Sequence, residues 1–206
     1  MTCNGTHIIG ITGGIATGKT TFARILSKLL GTECFSADEY SGILLASDVE
    51  VVKEIKERVC PDAYHVDGTP DRARLRAVIF TDPAARRELE AILHPRIGIA
   101  WQAELARHRE NKLPFFVSEV PLLFEAGLEG DFHSVVCVAC SEEARLARLT
   151  ARPRISLDDA KKMIASQIPL NDKIERSGSV VWNDGTLDAL AAQAEVLANR
   201  FLLSHV

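Results

Sequence analysis

The sequence predicts an α/β fold in which a parallel sheet is flanked by helices. Its apolar runs are short and nearly continuous, as is typical of strands buried on both faces. Segments with helical periodicity separate most of these runs, which is the alternating order of α/β domains. A glycine-rich turn joins the first run to the first helix. The predicted strands lie near residues 8–11, 34–35, 115–120, 134–138 and 180–182.

The first strand leads into a phosphate-binding loop. The eight residues 13–20 match the pattern G-x-x-x-x-G-K-[S/T] in full, and an amphipathic helix with Phe22 and Leu26 on its apolar face follows. The alternative, a tight turn with a solvated lysine, explains less, because the loop and both flanking elements agree. Backbone N–H groups at a helix amino terminus form an anion site. The chain is therefore predicted to bind a nucleoside triphosphate.

Within this loop the side chains have distinct predicted roles. Lys19 can reach the β and γ phosphates, and the hydroxyl of Thr20 is of the kind that holds Mg²⁺. The backbone of the same segment faces the nucleotide, so its predicted cofactor-binding residues are Gly14, Ile15, Ala16, Thr17, Gly18, Lys19, Thr20 and Thr21.

An aspartate, Asp38, follows the second strand. Ligands of open α/β sheets bind at the carboxyl ends of strands, so Asp38 could accept a proton from an attacking hydroxyl. The alternative is structural, because Ser36 and Glu39 fit a capping box and would make Asp38 a first-turn residue of a helix. The local residues leave both interpretations open.

Residues 41–113 are predicted to form a helical insertion on the substrate side of the sheet. Thr69-Pro70 and Asp82-Pro83 each predict the start of a helix, and His94-Pro95 predicts a break between two helices. The nucleotide-binding core is accordingly expected in residues 1–40 and 114–206.

Polar residues follow the third and fifth strands. Glu119 ends the third strand, where it could hold Mg²⁺ through water or make a structural hydrogen bond. The turn Asn183-Asp184-Gly185 follows the fifth strand, and turn formation alone would explain it. No Asn-Lys-x-Asp sequence that reads guanine follows a strand, which disfavours a GTPase.

The fourth strand carries a C-x-x-C pair and precedes a basic segment. Cys137 and Cys140 lack a second pair and are interpreted as core thiols. Arg145, Arg148 and Arg152 have helical spacing and could close over a triphosphate. The alternative is a solvated face paired with nearby acids. Further basic residues follow at Arg154, Lys161 and Lys162.

Composition describes an ordinary globular protein. The 206 residues are 47% hydrophobic and carry a formal net charge of −4, which argues against a general nucleic-acid binder. No apolar run approaches membrane-spanning length. Five cysteines make a disulfide framework improbable, and a cytoplasmic location with no membrane partner is expected.

End to end, the chain resembles the dephospho-coenzyme A kinase family, the last enzymes of coenzyme A biosynthesis. Besides the phosphate loop and Asp38, the resemblance rests on Ile11-Thr12-Gly13-Gly14-Ile15, Asp67-Gly68-Thr69 with Arg72, Leu75 and Arg76, Ile92-Leu93-His94-Pro95, Val120-Pro121-Leu122-Leu123-Phe124-Glu125, Arg148 with Arg152, and Asn183-Asp184-Gly185. Relatives often carry an arginine near Ser41 or Gly42, which this chain lacks.

The resemblance implies a P-loop kinase core, a helical domain that binds coenzyme A and a lid around residues 150–175. It implies transfer of the γ-phosphate of ATP, with Mg²⁺, to the ribose 3′-hydroxyl of dephospho-CoA. Asp38, Lys19, Arg148 and Arg152 would be catalytic, and Thr20 and Glu119 would hold the metal. Asn183 would lie near adenine. The acceptor would contact Asp38, Arg72, His94, Pro121, Leu122 and Glu125.

Two alternatives stay open from the sequence. Another small-molecule kinase on the same core would phosphorylate a nucleoside monophosphate or a hydroxy acid. A nucleotide-binding regulator would bind ATP without phosphotransfer, although intact Lys19, Thr20 and Asp38 argue against it. A monomer or weak homo-oligomer is expected.

Overall fold

A computed structural model of the protein describes residues 5–153 and 155–205. The strands are β1 (His7–Gly13), β2 (Cys34–Ser36), β3 (Phe115–Glu119), β4 (Ser134–Ala139) and β5 (Ser179–Trp182). The helices are α1 (Lys19–Leu29), α2 (Ala37–Ser47), α3 (Val49–Arg58), α4 (Arg72–Thr81), α5 (Pro83–Glu110), α6 (Glu142–Thr150), α7 (Leu157–Ala165), α8 (Leu170–Arg176) and α9 (Leu187–His205). Each of the five predicted strands is present.

All strand pairs in the sheet are parallel, and the strand order is β2-β3-β1-β4-β5. β1 is central, with Ile11 opposite Glu119 of β3 on one side and Val136 of β4 on the other. Because parallel strands end at one edge, the segments that follow β1, β3, β4 and β5 meet there. The predicted fold class is confirmed, and this edge positions the candidate site.

The main core lies between the sheet and the pair of helices α1 and α9. Ile9 and Ile11 of β1 pack there with Phe22 and Leu26 of α1 and with Phe201 of α9. All five side chains are buried, so the apolar face predicted for α1 is the one that packs on the sheet. This packing fixes the amino terminus of α1 at the end of β1.

The chain divides into two compact units. One comprises the residues up to Ser36 and from Leu105 onward, and it contains the sheet. The other is Ala37–Glu104, which is helical and has its own buried cluster. That cluster is formed by Leu44, Val51, Ile55, Cys60, Ala63, Leu75, Ile92 and Leu93.

Of the two helix starts predicted in the helical unit, the first was wrong and the second was correct. The helix expected at Thr69-Pro70 begins at Arg72, because Asp71 is the residue that caps it by accepting from the N–H of Arg74 at 2.9 Å. Pro70 instead pairs with Tyr64 in an isolated antiparallel bridge. The helix expected at Asp82-Pro83 does begin at Pro83.

The break expected at His94-Pro95 is absent, since α5 continues through Pro95 for 28 residues. A proline inside a helix costs about 3 kcal/mol or more. Ile92 and Leu93 on the preceding turn are buried in the helical unit's cluster, and this packing outweighs that cost. Arg96 reinforces the same turn by donating to the carbonyl of Ile92 at 2.7 Å.

Across the described part of the chain, no helix combines the length and apolar character needed to cross a membrane.

Candidate active site

The phosphate loop connects β1 to α1 through strained backbone. Gly18, the N-cap of α1, has a φ of 94°, a left-handed conformation that favours glycine. A Cβ at Gly18 would lie 2.2 Å from Nδ2 of Asn183, so a side chain there would also displace its neighbour. Ala16 has a φ of 61° without being glycine. Such conformations persist where surrounding contacts hold them, as at ligand-binding sites.

Lys19 folds back across this loop. Its Nζ donates to the carbonyl oxygen of Gly14 at 2.8 Å, and the residue is only 8% exposed. The hydroxyl of Thr17 donates to the same carbonyl at 2.9 Å. The ammonium group is therefore held at the loop, where an incoming phosphate would meet it at little cost in side-chain entropy.

The two predicted magnesium ligands touch each other. Oγ1 of Thr20 donates to Oε1 of Glu119 at 2.8 Å, and Glu119 is 3% exposed. A hydroxyl and a carboxylate are oxygen ligands of the kind Mg²⁺ prefers, and Mg²⁺ usually keeps several waters and phosphate oxygens as its other ligands. The residues present fit that ion. Among the described residues, no three His, Cys, Asp or Glu side chains form a metal cluster.

The arginines of α6 bind the loop instead of facing solvent. Nε of Arg145 donates to the carbonyl of Ile15 at 3.2 Å, and Nη1 of Arg148 donates to that of Ala16 at 3.2 Å. Arg145 is 6% exposed, and burial lowers the pKa of its guanidinium from the ordinary value. The solvated-face alternative is therefore wrong for these two residues.

Arg152 lies beyond the last residue of α6 and is exposed, so the three arginines do not share one helix. The chain turns after Thr150, and the carboxy-terminal cap is Ala151. Lys161 and Lys162 are exposed on α7. Arg154 lies outside the described residues.

The turn after β5 is attached to the phosphate loop. Nδ2 of Asn183 donates to the carbonyl of Thr17 at 2.8 Å, and Nη2 of Arg148 donates to the carbonyl of Asn183 at 2.6 Å. The N–H of Ser141 donates to Asp184, which lowers the pKa of that carboxyl. Turn formation alone does not account for Asn183, because its side chain shapes the loop.

A cavity of about 360 Å³ opens between this turn and the loop. Its lining combines polar and charged side chains with apolar ones, a combination that suits a flat heteroaromatic ring. The lining residues are Ala16, Gly18, Thr21, Arg148, Arg152, Asn183, Gly185, Leu187 and Leu190. The two leucines belong to α9.

The segment after β3 is held by a buried lysine that the sequence analysis missed. Nζ of Lys173, on α8, donates to the carbonyl of Pro121 at 2.8 Å and pairs with Oε1 of Glu125 at 2.8 Å. The Lys173 side chain is fully buried. A buried charge is stable only when paired and hydrogen-bonded, so Glu125 has a clear structural function here. Leu122, in the same segment, is half-buried.

The remaining predicted residues belong to the helical unit. Asp38 lies exposed in the first turn of α2, and His94 lies exposed on α5. Arg72 is the first residue of α4, and its guanidinium lies over Gly42, where an added Cβ would be 2.9 Å from Nη2.

The C-x-x-C pair is buried, as predicted for core thiols. Cys137 is 0% and Cys140 is 2% exposed, and both are free. Burial raises the pKa of Cys137 to about 11 and also raises that of Cys140. Both thiols therefore stay protonated at neutral pH, and the thiolate is the form that reacts or binds metal.

Comparison with known proteins assigns this arrangement to a family. A family model described as dephospho-CoA kinase matches residues 7–189. The chain belongs to the dephospho-CoA kinase family. It is 37% identical over 187 residues to a curated dephospho-CoA kinase from Thermosynechococcus vestitus, with 91% of each chain covered.

Solved structures of similar proteins are consistent with membership in this family. A Thermus thermophilus protein is 34% identical with a TM-score of 0.76, and the match covers 95% of this chain and 98% of that one. The dephospho-CoA kinase from Campylobacter jejuni, at 24% identity, shares the fold with a TM-score of 0.68 and coverage of 97% and 98%. The predicted resemblance, the P-loop kinase fold and the enzyme class are confirmed, with ATP as the family's phosphoryl donor.

Proposed function

We propose that this chain transfers the γ-phosphate of ATP to the 3′-hydroxyl of the ribose of dephospho-CoA, giving coenzyme A and ADP. The observation that carries the proposal is the extent of the family match, residues 7–189. This range includes both the phosphate loop and the helical segment 41–113. A chain related only through its phosphate loop would share the donor site alone.

The donor side of the reaction is assigned to the sheet unit. Within residues 14–21, the backbone N–H groups that face Lys19 bind the phosphates together with its ammonium group. Asn183 would lie beside adenine in the 360 Å³ cavity that it lines. Thr20 and Glu119 are the residues that would hold Mg²⁺. When bound, the ion would neutralise charge on the β and γ phosphate oxygens.

Asp38 acts as the general base in this proposal. Its carboxylate accepts the proton of the 3′-hydroxyl while that oxygen bonds to the γ-phosphorus. The bond between the γ-phosphorus and the oxygen of the β-phosphate breaks, and ADP leaves. Because the transition state is loose, positioning and charge stabilisation supply most of the catalysis.

Arg148 and Arg152 have different proposed contributions to this charge stabilisation. Arg148 holds the carbonyls of Ala16 and Asn183, so it shapes the donor site as well as offsetting charge. Arg152 is exposed, lines the same cavity and contributes through a lid formed by residues 150–175.

Recognition of the acceptor is assigned to two groups of residues. In the helical segment 41–113, Arg72 and His94 supply polar contacts. After β3, Pro121, Leu122 and Glu125 supply the remainder, held by Lys173. A large acceptor with a pyrophosphate and a pantetheine arm requires both basic contacts and an apolar surface.

The proposed setting is the cytoplasm, where ATP is available and thiols stay reduced, and the described cysteines Cys34, Cys60, Cys137 and Cys140 are all free. ATP and dephospho-CoA are the proposed partners. We also propose that the protein is a monomer or a weak homo-oligomer and that it binds neither nucleic acid nor a membrane.

ADP release with different acceptors tests the proposed function. We expect dephospho-CoA to drive ATP turnover, whereas AMP, CMP, shikimate and gluconate should not. Phosphorus NMR of the product should place the new phosphate on the ribose 3′ oxygen. Faster turnover with a nucleoside monophosphate, or phosphate on another oxygen, would contradict the acceptor assignment and leave a kinase of another specificity. ATP binding without acceptor-dependent ADP release would instead indicate a regulator.

Removal of the two arginines should separate their contributions. We expect Arg148→Ala and Arg152→Ala to lower kcat more than they change ATP affinity, since contacts that offset the charge of the transferring group are strongest in the transition state. Arg148→Ala should also lower the melting temperature, because it leaves the carbonyls of Ala16 and Asn183 without the guanidinium that binds them. Single-turnover phosphoryl transfer is the measurement, with the exposed Arg200→Ala on α9 as the control. Unchanged single-turnover rates in both variants would refute a role in transfer.

A further inference from the structure

A glutamine between α7 and α8 binds the phosphate loop. Oε1 of Gln167 accepts a hydrogen bond from the backbone N–H of Ile15 at 2.8 Å. The partner of a backbone N–H must be an acceptor, so the orientation of the carboxamide follows from the bond. Gln167 is half-buried, and no sequence motif had pointed to it.

The peptide group between Gly14 and Ile15 is oriented so that the bond to Gln167 lies away from Lys19. The carbonyl of Gly14 faces Nζ of Lys19 and the hydroxyl of Thr17. No cis peptide bond is present in the described chain, so the N–H of Ile15 points to the opposite side of the same peptide. Gln167 can therefore keep its bond to Ile15 while phosphates occupy the Lys19 side of the loop.

The other end of the carboxamide is an unused donor. Oε1 and Nε2 share one carbon, so the bond to Ile15 also keeps Nε2 close to the loop. Within the described residues, Nε2 has no hydrogen-bond partner. An amide N–H₂ group held beside an anion-binding loop is suited to donate to a phosphate oxygen.

The segment that carries Gln167 is anchored to the turn after β3. The N–H of Ile168 donates to Oε1 of Glu125 at 3.3 Å, and Glu125 pairs with the buried Lys173. Lys173 also donates to the carbonyl of Pro121. The carboxamide is thus held in advance at the loop, and donors fixed in this way need no reorganisation during the reaction.

We propose that Gln167 binds the γ-phosphate: its Oε1 stays on the N–H of Ile15 while its Nε2 donates to a γ-phosphate oxygen. This assignment deepens the proposed function and rests on it only for the rate measurements. It distinguishes a triphosphate from a diphosphate, because ADP lacks the group that Nε2 contacts.

Nucleotide affinities measured by calorimetry without any acceptor test the contact. Gln167→Glu keeps an oxygen for the N–H of Ile15 but replaces the donor with a negative charge. We expect the affinity for a non-hydrolysable ATP analogue to fall about tenfold, as for a lost hydrogen bond to a charged group, and that for ADP to stay within about twofold. Gln193→Glu is the matched control, because Oε1 of Gln193 accepts from the N–H of Trp182 at 3.0 Å, and it should leave the ratio unchanged.

Each contrary result has a defined meaning. Equal losses for the analogue and ADP would show that Gln167 only shapes the loop, and no loss for either would exclude the contact. Tighter analogue binding by Gln167→Ala would show that the carboxamide must leave when the nucleotide arrives. Any of these results overturns the proposal.

Rates provide the second readout. Gln167→Ala should lower kcat about tenfold, with KM for dephospho-CoA within about threefold of the wild type, since the lost contact lies on the donor. A rise in KM for dephospho-CoA at unchanged kcat would contradict the assignment. If the wild type shows no turnover with dephospho-CoA, the proposed function fails, and the comparison of the ATP analogue with ADP still decides the role of Gln167.

Discussion

Lys19→Ala is expected to lower kcat by about a hundredfold or more, which is the usual cost of removing one preorganised charge-stabilising group. Lys19 is already held at the loop by its bond to the carbonyl of Gly14, and it is 8% exposed. Its ammonium group would gain interaction energy as negative charge moves onto the oxygens of the transferring phosphoryl group. The loss should therefore appear in the chemical step as well as in ATP affinity.

Single-turnover rates at saturating ATP measure this effect. Lys28→Ala provides a matched control, because Lys28 lies exposed in the last turn of the same helix, α1. It should keep nearly the full rate. Retention of more than half the wild-type rate by Lys19→Ala would refute the assigned role, provided that its melting temperature shows a folded enzyme.

Asp38→Asn should slow the chemical step by roughly two to four orders of magnitude, the range of general base catalysis. The amide has nearly the size of the carboxyl, so the first turn of α2 should persist. What it lacks is the basicity needed to take the proton of the 3′-hydroxyl. ATP affinity, measured by calorimetry, should change little.

Glu39→Gln separates this role from that of a helix-start residue. Asp38 and Glu39 are adjacent acids in the first turn of α2, and both are exposed. If they only interact with the helix dipole, the two variants should show the same small loss of stability and normal rates. A normal rate for Asp38→Asn with a lower melting temperature would assign Asp38 to the helix alone.

Features that depend on residues close together in the sequence were predictable. The strand, turn and helix around Lys19 form one continuous segment, and the buried strands read as apolar runs because both of their faces are covered. The C-x-x-C pair was also placed correctly in the core, since it sits inside such a run. In each case the pattern and its physical cause lie within about ten residues.

Contacts between distant parts of the chain were not predictable. Gln167 forms a hydrogen bond with Ile15, which is 152 positions away in the sequence, and Lys173 forms one with Pro121, which is 52 positions away. No local pattern distinguishes these two side chains from surface residues of a basic segment. Helical spacing placed Arg145 and Arg148 on one face, but only the position of α6 beside the loop shows that this face binds carbonyls. Pro95 failed as a helix breaker for the same reason, because packing outweighed a local preference.

The position of β1 has a consequence for biosynthesis of the protein. This strand is synthesised before its partners β3 and β4, which follow roughly a hundred residues later in the sequence. On the ribosome, residues 7–13 therefore emerge as an apolar segment without neighbours, and non-local pairing of this kind is slow and exposed to aggregation. The contiguous helical unit, Ala37–Glu104, needs no such wait, because its buried cluster lies entirely within its own sequence. The phosphate loop follows β1 directly, yet it can take its final shape only after β3, β4 and the turn that follows β5 have been synthesised, because these later segments hold it in place.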